Sequence, residues 1–319
     1  MAEVPSTVTT AVRTPESAMA PRNPERARAE RRQAWGNRSL LLPAIIFSVV
    51  LTQIPFLVTI AYSTIKWNLL YPQDRKFSGT DNYVSVFSSG DLWPAIRATV
   101  LITGLSVGGA LIFGLLFAVL LNRAFRGRAV ARTLMITPFL LMPAAAALIW
   151  KYSMFDTNIG MINWALRSLG FHEIAWSTDH PLATVVIVLV WQFTPFMMLI
   201  LLAGLQGQSL DSLEAARIDG ANSLQIFRYL TIPHLRVYLE ISGLLGTIII
   251  LQVFDPVAIL TKGTGGTKTL AYLLYERAFI GLNVGEAAAY GVVIVVLTIV
   301  VASVTLRTLF GVFMSGGQR

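Results

Sequence analysis

The sequence predicts an all-α fold, that of a polytopic membrane protein with six transmembrane helices. Three observations support this fold class. Of the 319 residues, 55% are hydrophobic and only 13% are charged, and the mean hydropathy is +0.64, a composition that is rare in soluble domains. Six windows are long and apolar enough to cross a hydrocarbon core of about 30 Å. The cationic residues cluster in alternate loops between these windows, as they do in multi-span proteins.

The predicted spans are these apolar windows, taken in chain order. They are Ser39–Tyr62, Ala98–Leu121, Thr133–Trp150, Leu182–Leu205, Val237–Leu260 and Ala287–Leu306. Proline lies inside several of them, for example Pro138 and Pro195. It is tolerated there because neighbouring helices satisfy the carbonyls that it frees. The third window is the shortest of the set.

Residues 1–36 precede the first window and differ from it in composition. They are rich in Ala, Pro, Arg, Thr and Glu and contain almost no large apolar residues. This composition predicts a disordered basic tail over 1–36 and a transmembrane domain over 37–319. We expect the segment from Arg22 to Arg38 to rest on anionic membrane lipid. No cleavable signal peptide is expected, since no short apolar stretch with a small-residue cleavage site precedes the first span.

The distribution of charge predicts the orientation of the chain. Most of the 25 Lys and Arg residues lie in the tail, in the second and fourth loops and at the C-terminal end. The positive-inside bias therefore predicts that both termini and the fourth loop are cytoplasmic. The net charge of +8 follows from this arrangement, so no nucleic-acid partner is expected.

The fourth loop, residues 206–235, is a moderately polar stretch between two apolar windows. It contains the motif Glu214-Ala215-Ala216, followed by Gly220, and it ends with Leu230-Thr231-Ile232-Pro233. Such a loop is bound to the membrane at both ends, so it is suited to passing motion between a soluble partner and the spans.

Local signals in the same loop predict a helix. Asp211 and Glu214 have the spacing of a capping box, which predicts that the helix begins near Ser212. Gly220 is expected to let another surface approach the backbone closely. Pro233 is expected to stop the helix before the next span.

This loop resembles the cytoplasmic coupling loop of permease subunits in binding-protein-dependent ABC importers. The shared pattern is Glu214-Ala215-Ala216, three residues, Gly220, nine residues, and then an aliphatic residue and Pro233. The usual ending in that family is Ile-x-Leu-Pro, and this chain departs from it by a swap of aliphatic residues. The resemblance covers nearly all of the chain after the tail. It implies the type I ABC importer permease fold and a loop that docks into a groove of the ATPase.

The resemblance also implies the partners. A second homologous permease subunit would complete the path, a cytoplasmic ATPase dimer would supply energy, and an extracytoplasmic solute-binding protein would deliver the substrate. ATP would be bound by the partner subunit, so no cofactor and no enzymatic activity are expected of this chain alone. The expected location is the inner or plasma membrane of a bacterial cell, as a multi-pass protein.

The fourth span carries a candidate substrate path. Leu189, Gln192, Phe193 and Phe196 follow i, i+3, i+4, i+7 spacing, so they share one helix face. An amide and aromatic rings suit a polyhydroxylated ligand, because the amide exchanges hydrogen bonds and the rings cover C–H faces. Gln252 in the fifth span is a further candidate, since an amide inside a membrane helix needs a partner. The alternative is that the rings pack against other helices and Gln192 bonds a neighbouring backbone.

The family resemblance extends to this face, which matches the place where maltose-type permeases hold their sugar. Three stretches are similar to the polyol branch, the mannitol and sorbitol permeases. They are residues 142–151, residues 191–196 and Pro233-His234-Leu235. The resemblance therefore implies a carbohydrate substrate, and more narrowly a sugar alcohol.

Several features of the sequence argue against other functional classes. The segment Lys262–Thr269 lacks the Gly directly before Lys268 that a phosphate-binding loop requires. No Cys is present, and the three His residues have no ligand spacing, so no metal site or catalytic residue is predicted. An ion-coupled secondary transporter usually needs ionisable groups near the bilayer midplane, where these spans have none. A passive channel remains an alternative that only the coupling loop argues against.

Overall fold

The structure, a computed structural model, describes the backbone of residues 24–316 and the side chains of residues 42–304. Its regular structure is almost entirely helical, as the sequence predicts. The α-helices are α1 (Pro24–Ser63), α2 (Asp81–Ser88), α3 (Leu92–Asn122), α4 (Arg128–Leu140), α5 (Pro143–Ile149), α6 (Met161–Ser168), α7 (Trp176–Asp179), α8 (Pro181–Gln206), α9 (Leu210–Ile218), α10 (Ser223–Ile226), α11 (Ile232–Leu251), α12 (Leu270–Tyr275) and α13 (Val284–Gly316). π-Helical turns span Trp150–Met154, Phe227–Thr231, Val257–Thr261 and Glu276–Ile280.

A short hairpin lies between α1 and α2. Its strands, β1 (Ile65–Lys66) and β2 (Lys76–Phe77), are antiparallel and flank a 3-10 turn at Pro72–Asp74. The buried Asn82 side chain donates hydrogen bonds to the carbonyls of Ser63 and Ile65, at 2.8 and 2.9 Å. These bonds fix the end of α1 to the start of α2.

The chain divides into two units, residues 1–57 and 58–319. The tail predicted over residues 1–36 lies in the first unit. Its residues 1–23 are outside the described part of the chain, and residues 24–36 belong to α1. The helix therefore begins before the predicted boundary of the transmembrane domain.

Helical stretches long and apolar enough to cross a membrane account for most of the predicted spans. Within the described residues they are Leu42–Ser63, Leu92–Asn122, Pro181–Gln206, Ser223–Leu251 and Val284–Val304. The third predicted span is different, because α4 and the segment Pro143–Met154 meet at a bend of 101°. Counted as one broken span, this pair brings the number to six.

The break explains why a continuous third span, Thr133–Trp150, is a wrong prediction. Leu141 and Met142 have extended backbones, with ψ of 138° and 133°. Pro143 disfavours a helical conformation at the residue before it, and Pro143 itself fits the first turn of α5, where no N–H is needed.

The fifth predicted span, Val237–Leu260, also has wrong boundaries. The helix begins earlier and α11 ends at Leu251, after which the chain turns at Gln252 and becomes helical again before the π-helical turn Val257–Thr261. Pro256 has no N–H, so it cannot continue the hydrogen-bond ladder to the carbonyl of Gln252.

The helices α3 and α8 form the centre of the packed core. Gly109 of α3 faces Val190 of α8, and Gly114 faces Met197, so the two helices run in the same direction. A Cβ added at Gly114 would lie 2.8 Å from the Cβ of Met197. The small residue therefore permits this close approach, as is common between membrane helices.

Candidate coupling loop and translocation path

The helix predicted in the fourth loop exists, and its cap differs from the prediction. The helix α9 begins at Leu210, and the Ser209 side chain accepts a hydrogen bond from the Ser212 backbone N–H at 3.4 Å. The predicted capping box of Asp211 and Glu214 is therefore wrong. The reason is register: Ser209 holds the capping position, which places both acidic residues inside the first turns.

Gly220 ends α9 through its backbone conformation. Its φ is +84°, and an added Cβ would meet no atom within 4 Å. The predicted close approach of another surface at Gly220 is thus not present within this chain. Glycine is favoured because the left-handed conformation is costly for other residues. Asn222 and Gln225 then form a reciprocal capping box that starts α10.

Pro233 does not stop a helix, contrary to the prediction. It lies in the first turn of α11, directly after the π-helical turn Phe227–Thr231, and Ser223–Leu251 runs as one long helical stretch. Proline is tolerated in a first turn. The loop thus contains the short helix α9 and the start of a second helical stretch, which continues into the fifth span.

The outer face of α9 is exposed and carries two large apolar side chains. Leu210 is 72% exposed and Ile218 is 86% exposed, and Glu214 lies between them at i+4 spacing. Ala215 is exposed too, whereas Ala216 is half-buried. The helix buries none of its residues. Exposed large apolar side chains beside charged groups are typical of a surface that docks to another chain.

A cavity of 380 Å³ lies behind this helix. Its walls come from the C-terminal ends of α3 and α8, from α9 and from α10 with its π-helical turn; they include Arg123, Gln208, Leu213, Arg217 and Phe227. Because this cavity lies between α9 and the helices behind it, α9 is held by its capped turns more than by packing.

The predicted path residues of α8 share one face, and the structure places most of them in the core. Leu189, Gln192 and Phe193 are buried, and Phe196 is half-buried. The Gln192 Nε2 donates to the Leu141 carbonyl at 3.1 Å. Gln192 is thus bonded to the break of the third span. For its Nε2 group this agrees with the alternative prediction, in which Gln192 bonds a neighbouring backbone.

The other half of the Gln192 amide is unsatisfied. Its Oε1 is buried and has no hydrogen-bond partner among the described residues. A buried acceptor without a donor is costly, so this oxygen is available to a hydroxyl group that enters the site.

Aromatic rings surround the same break. Phe139 of α4 stacks on Phe196 at 5.2 Å between ring centroids and meets Phe193 edge-on at 6.1 Å. Beyond the break, Trp150 meets Trp191 edge-on at 5.5 Å. Phe139 and the break itself were missed by the sequence prediction, although Pro143 was a usable signal.

Gln252 lies apart from this group. It is the exposed residue at the end of α11, and its Nε2 makes a long contact of 3.4 Å with the Ile248 carbonyl of its own helix. The predicted position of Gln252 inside the fifth span is therefore wrong, because the helix ends at Leu251.

The fold and the exposed fourth loop together are typical of a multi-span transport permease. The chain belongs to the family described as the binding-protein-dependent transport system inner membrane component, which matches residues 110–313. It is therefore a multi-pass membrane protein, and the predicted membership of this permease family is confirmed.

Relatives agree with this assignment. A probable ABC transporter permease protein of Sinorhizobium fredii is 38% identical over 273 residues, which cover 84% of this chain and 88% of the relative. The trehalose/maltose transport system permease protein MalF of Thermococcus litoralis is 33% identical over 271 residues, which cover 84% and 90%.

A solved structure shows the same fold. It is the crystal structure of a bacterial ABC transporter involved in the import of the acidic polysaccharide alginate, with a TM-score of 0.74 and 20% identity. The match covers 89% of this chain and 98% of that chain. The predicted ABC importer permease fold is thereby confirmed.

Proposed function

We propose that this chain is a transmembrane subunit of an ATP-driven importer for a sugar or sugar alcohol. The observation that carries the proposal is the exposed face of Leu210, Glu214 and Ile218 on a helix that buries no residue. A helix of this kind needs a partner for its apolar side chains, and a cytoplasmic ATPase is the partner that an importer requires. Transport by a passive channel or an ion-coupled carrier does not require such a partner.

The proposed substrate class rests on the chemistry around the broken third span. The Gln192 Oε1 offers a buried acceptor, and the rings of Phe139, Phe193 and Phe196 lie beside it. Hydroxyl groups satisfy amide acceptors, and aromatic rings cover the C–H faces of sugars. The similarity to a permease named for trehalose and maltose supports the carbohydrate class. The sugar alcohol is the narrower proposal and rests on the three polyol-like stretches.

Four partners complete the proposed machine. A second homologous permease encloses the path, an ATPase dimer binds ATP, an extracytoplasmic binding protein delivers substrate, and the bilayer lipid surrounds the spans. The loop at 206–235 and both termini face the cytoplasm in this arrangement.

The proposed mechanism is alternating access. ATP closes the ATPase dimer, and Glu214 and its neighbours on α9 move with the groove in which they sit. Because Gly220 and the capped turn at Asn222 join α9 to the helical stretch that enters the membrane, this movement is passed to α11. The path then opens outward and receives the sugar from the binding protein.

Deletion of the gene that encodes this chain, followed by uptake assays in the host cells, tests the proposal. Radiolabelled trehalose, maltose, mannitol and sorbitol form the panel, and methionine is the control solute. We expect the deletion to abolish energy-dependent uptake of one carbohydrate and to leave methionine uptake unchanged. Unchanged uptake of every carbohydrate, with loss of a non-carbohydrate solute, would contradict the proposed substrate class.

A further inference from the structure

A charged side chain, that of Lys151, lies in the second half of the broken third span. Lys151 belongs to the π-helical turn Trp150–Met154 and is half-buried. Its Nζ donates to the carbonyl of Ile259 at 2.8 Å, and Ile259 lies in the π-helical turn Val257–Thr261 after α11. Among the described side chains no carboxylate comes within 4.0 Å of this Nζ. An ammonium group has three donors, so this bond leaves donors for a ligand.

The neighbours of Lys151 link it to α8, the helix that carries the candidate path. The neighbouring Trp150 contacts Trp191, which directly precedes Gln192. Val257, in the turn that accepts the Lys151 bond, is part of the same buried cluster as Leu189 and Phe193. The turn that accepts the Lys151 bond therefore packs against α8, the helix that carries the candidate path residues.

The hydrogen bond between Lys151 and Ile259 does not require a positive charge. A bond to one backbone carbonyl requires a single N–H donor, and a neutral amide would supply it. Lys151 lies toward the end of its span, yet it is half-buried, and partial burial of a charge without a counter-charge is costly. The Tyr152 ring, 5.6 Å from Nζ, and the Ile259 carbonyl leave the positive charge without a counter-charge in ion-pair contact.

We propose that Lys151 is a specificity-determining residue that binds an acceptor oxygen of the transported carbohydrate. The ammonium group donates to hydroxyl or carboxylate oxygens and repels a cation. The permease therefore accepts neutral and acidic carbohydrates and rejects amino sugars. This inference rests on the proposed import of a carbohydrate, and it adds the charge of the accepted substrate. Asp255, a further charged residue, lies one turn before Ile259. It is unchanged in every variant below, so the Lys151 variants differ from the wild type only at position 151.

The test measures competition in the intact transporter. Uptake of the neutral sugar that the wild type transports is inhibited by its amino derivative and by its uronic acid, and the two inhibition constants give a ratio. Lys151→Gln removes the charge and keeps a donor for Ile259, Lys151→Met removes both, and Lys151→Arg keeps the charge. Lys268→Gln is the matched control, because Lys268 is paired with Glu276 at 2.7 Å.

We expect Lys151→Gln and Lys151→Met to shift the ratio about tenfold in favour of the amino sugar, which corresponds to about 1.4 kcal/mol. Lys151→Arg and Lys268→Gln should keep the wild-type ratio. An unchanged ratio in Lys151→Gln would overturn the proposal and leave Lys151 as a structural link. The same shift in Lys268→Gln would also overturn it, because a general surface charge effect would then suffice. Absence of carbohydrate uptake in the wild type would instead contradict the proposed function, and this inference with it.

Discussion

Substitution of Gln192 by Leu separates a structural role from contact with substrate. The change removes the Nε2 donor, which leaves the Leu141 carbonyl at the break of the third span without that bond. A lost hydrogen bond costs about 0.5–1.5 kcal/mol, and a buried unpaired partner up to about 3 kcal/mol. The change also removes the unsatisfied Oε1, which offsets part of this cost. We expect a net destabilisation of about 1 kcal/mol.

The same substitution should change substrate recognition if a sugar hydroxyl donates to Oε1. Loss of that bond predicts a weaker apparent affinity, or a changed choice among sugars, by roughly 2- to 150-fold for about 0.5–3 kcal/mol. Phe193 shares the face and should show a similar change when replaced by Leu. The substrate-free ATPase rate of the complex should change much less, because the coupling loop is untouched.

Uptake kinetics with a panel of sugars, together with a thermal melt of the purified complex, give both readouts. Thr194→Val is the matched control, because the buried Thr194 hydroxyl donates only to Val190 of its own helix, at 2.6 Å. Gln252→Ala is the complementary variant, because Gln252 is exposed and its loss should not affect stability. If Gln192→Leu and Gln252→Ala both keep the wild-type order of sugar preference, the assignment of the path is refuted.

Three further predictions concern the loops. Glu214→Ala and Gly220→Val should abolish transport without loss of membrane insertion, because one removes the carboxylate of the exposed face and the other forces a side chain into a left-handed backbone; wild-type uptake and wild-type ATPase co-purification would contradict this. Reporter fusions at Ser209 should report the cytoplasm and fusions at Gly265 the outside; the reverse result at Ser209 would exclude a coupling role. Backbone hydrogen bonds from Ile159 and then Asn158 lower the pKa of Asp156, so their stabilising effect is present above the ordinary pKa of an Asp and is lost as the pH falls through the lowered value. Asp156→Asn should reduce this acid dependence in melts recorded across that range, and an unchanged profile would show that the turn contributes nothing.

Much of the fold follows from composition, because a bilayer demands long apolar helices whose backbone bonds are satisfied internally. The break in the third span was not predicted from that rule. By hydropathy, residues 133–150 form one continuous window. The ring of Pro143, however, imposes an extended backbone at Met142. A local steric effect thus overrides a continuous apolar pattern.

The candidate site was predicted in its residues more than in its geometry. Helical spacing brought Leu189, Gln192, Phe193 and Phe196 to one face correctly, since α8 is continuous through them. Gln252 was predicted to lie inside a membrane helix, and this failed because the helix ends one residue earlier. Helical spacing on one segment also gives no information about its neighbours, so the bond from Gln192 to Leu141 could not be inferred from it.

Ile218→Asp tests most directly whether the exposed face of α9 couples closure of the ATPase dimer by ATP to the translocation path. Burial of an Ile side chain in a docking groove contributes about 1.5–3 kcal/mol, so we expect ATP-dependent uptake into proteoliposomes and co-purification of the ATPase to fall at least about tenfold. Leu169→Asp is the matched control, since Leu169 is 73% exposed and lies in a loop predicted on the other side of the membrane; it should behave as the wild type. Equal uptake by the Ile218→Asp variant and the wild type would contradict this coupling.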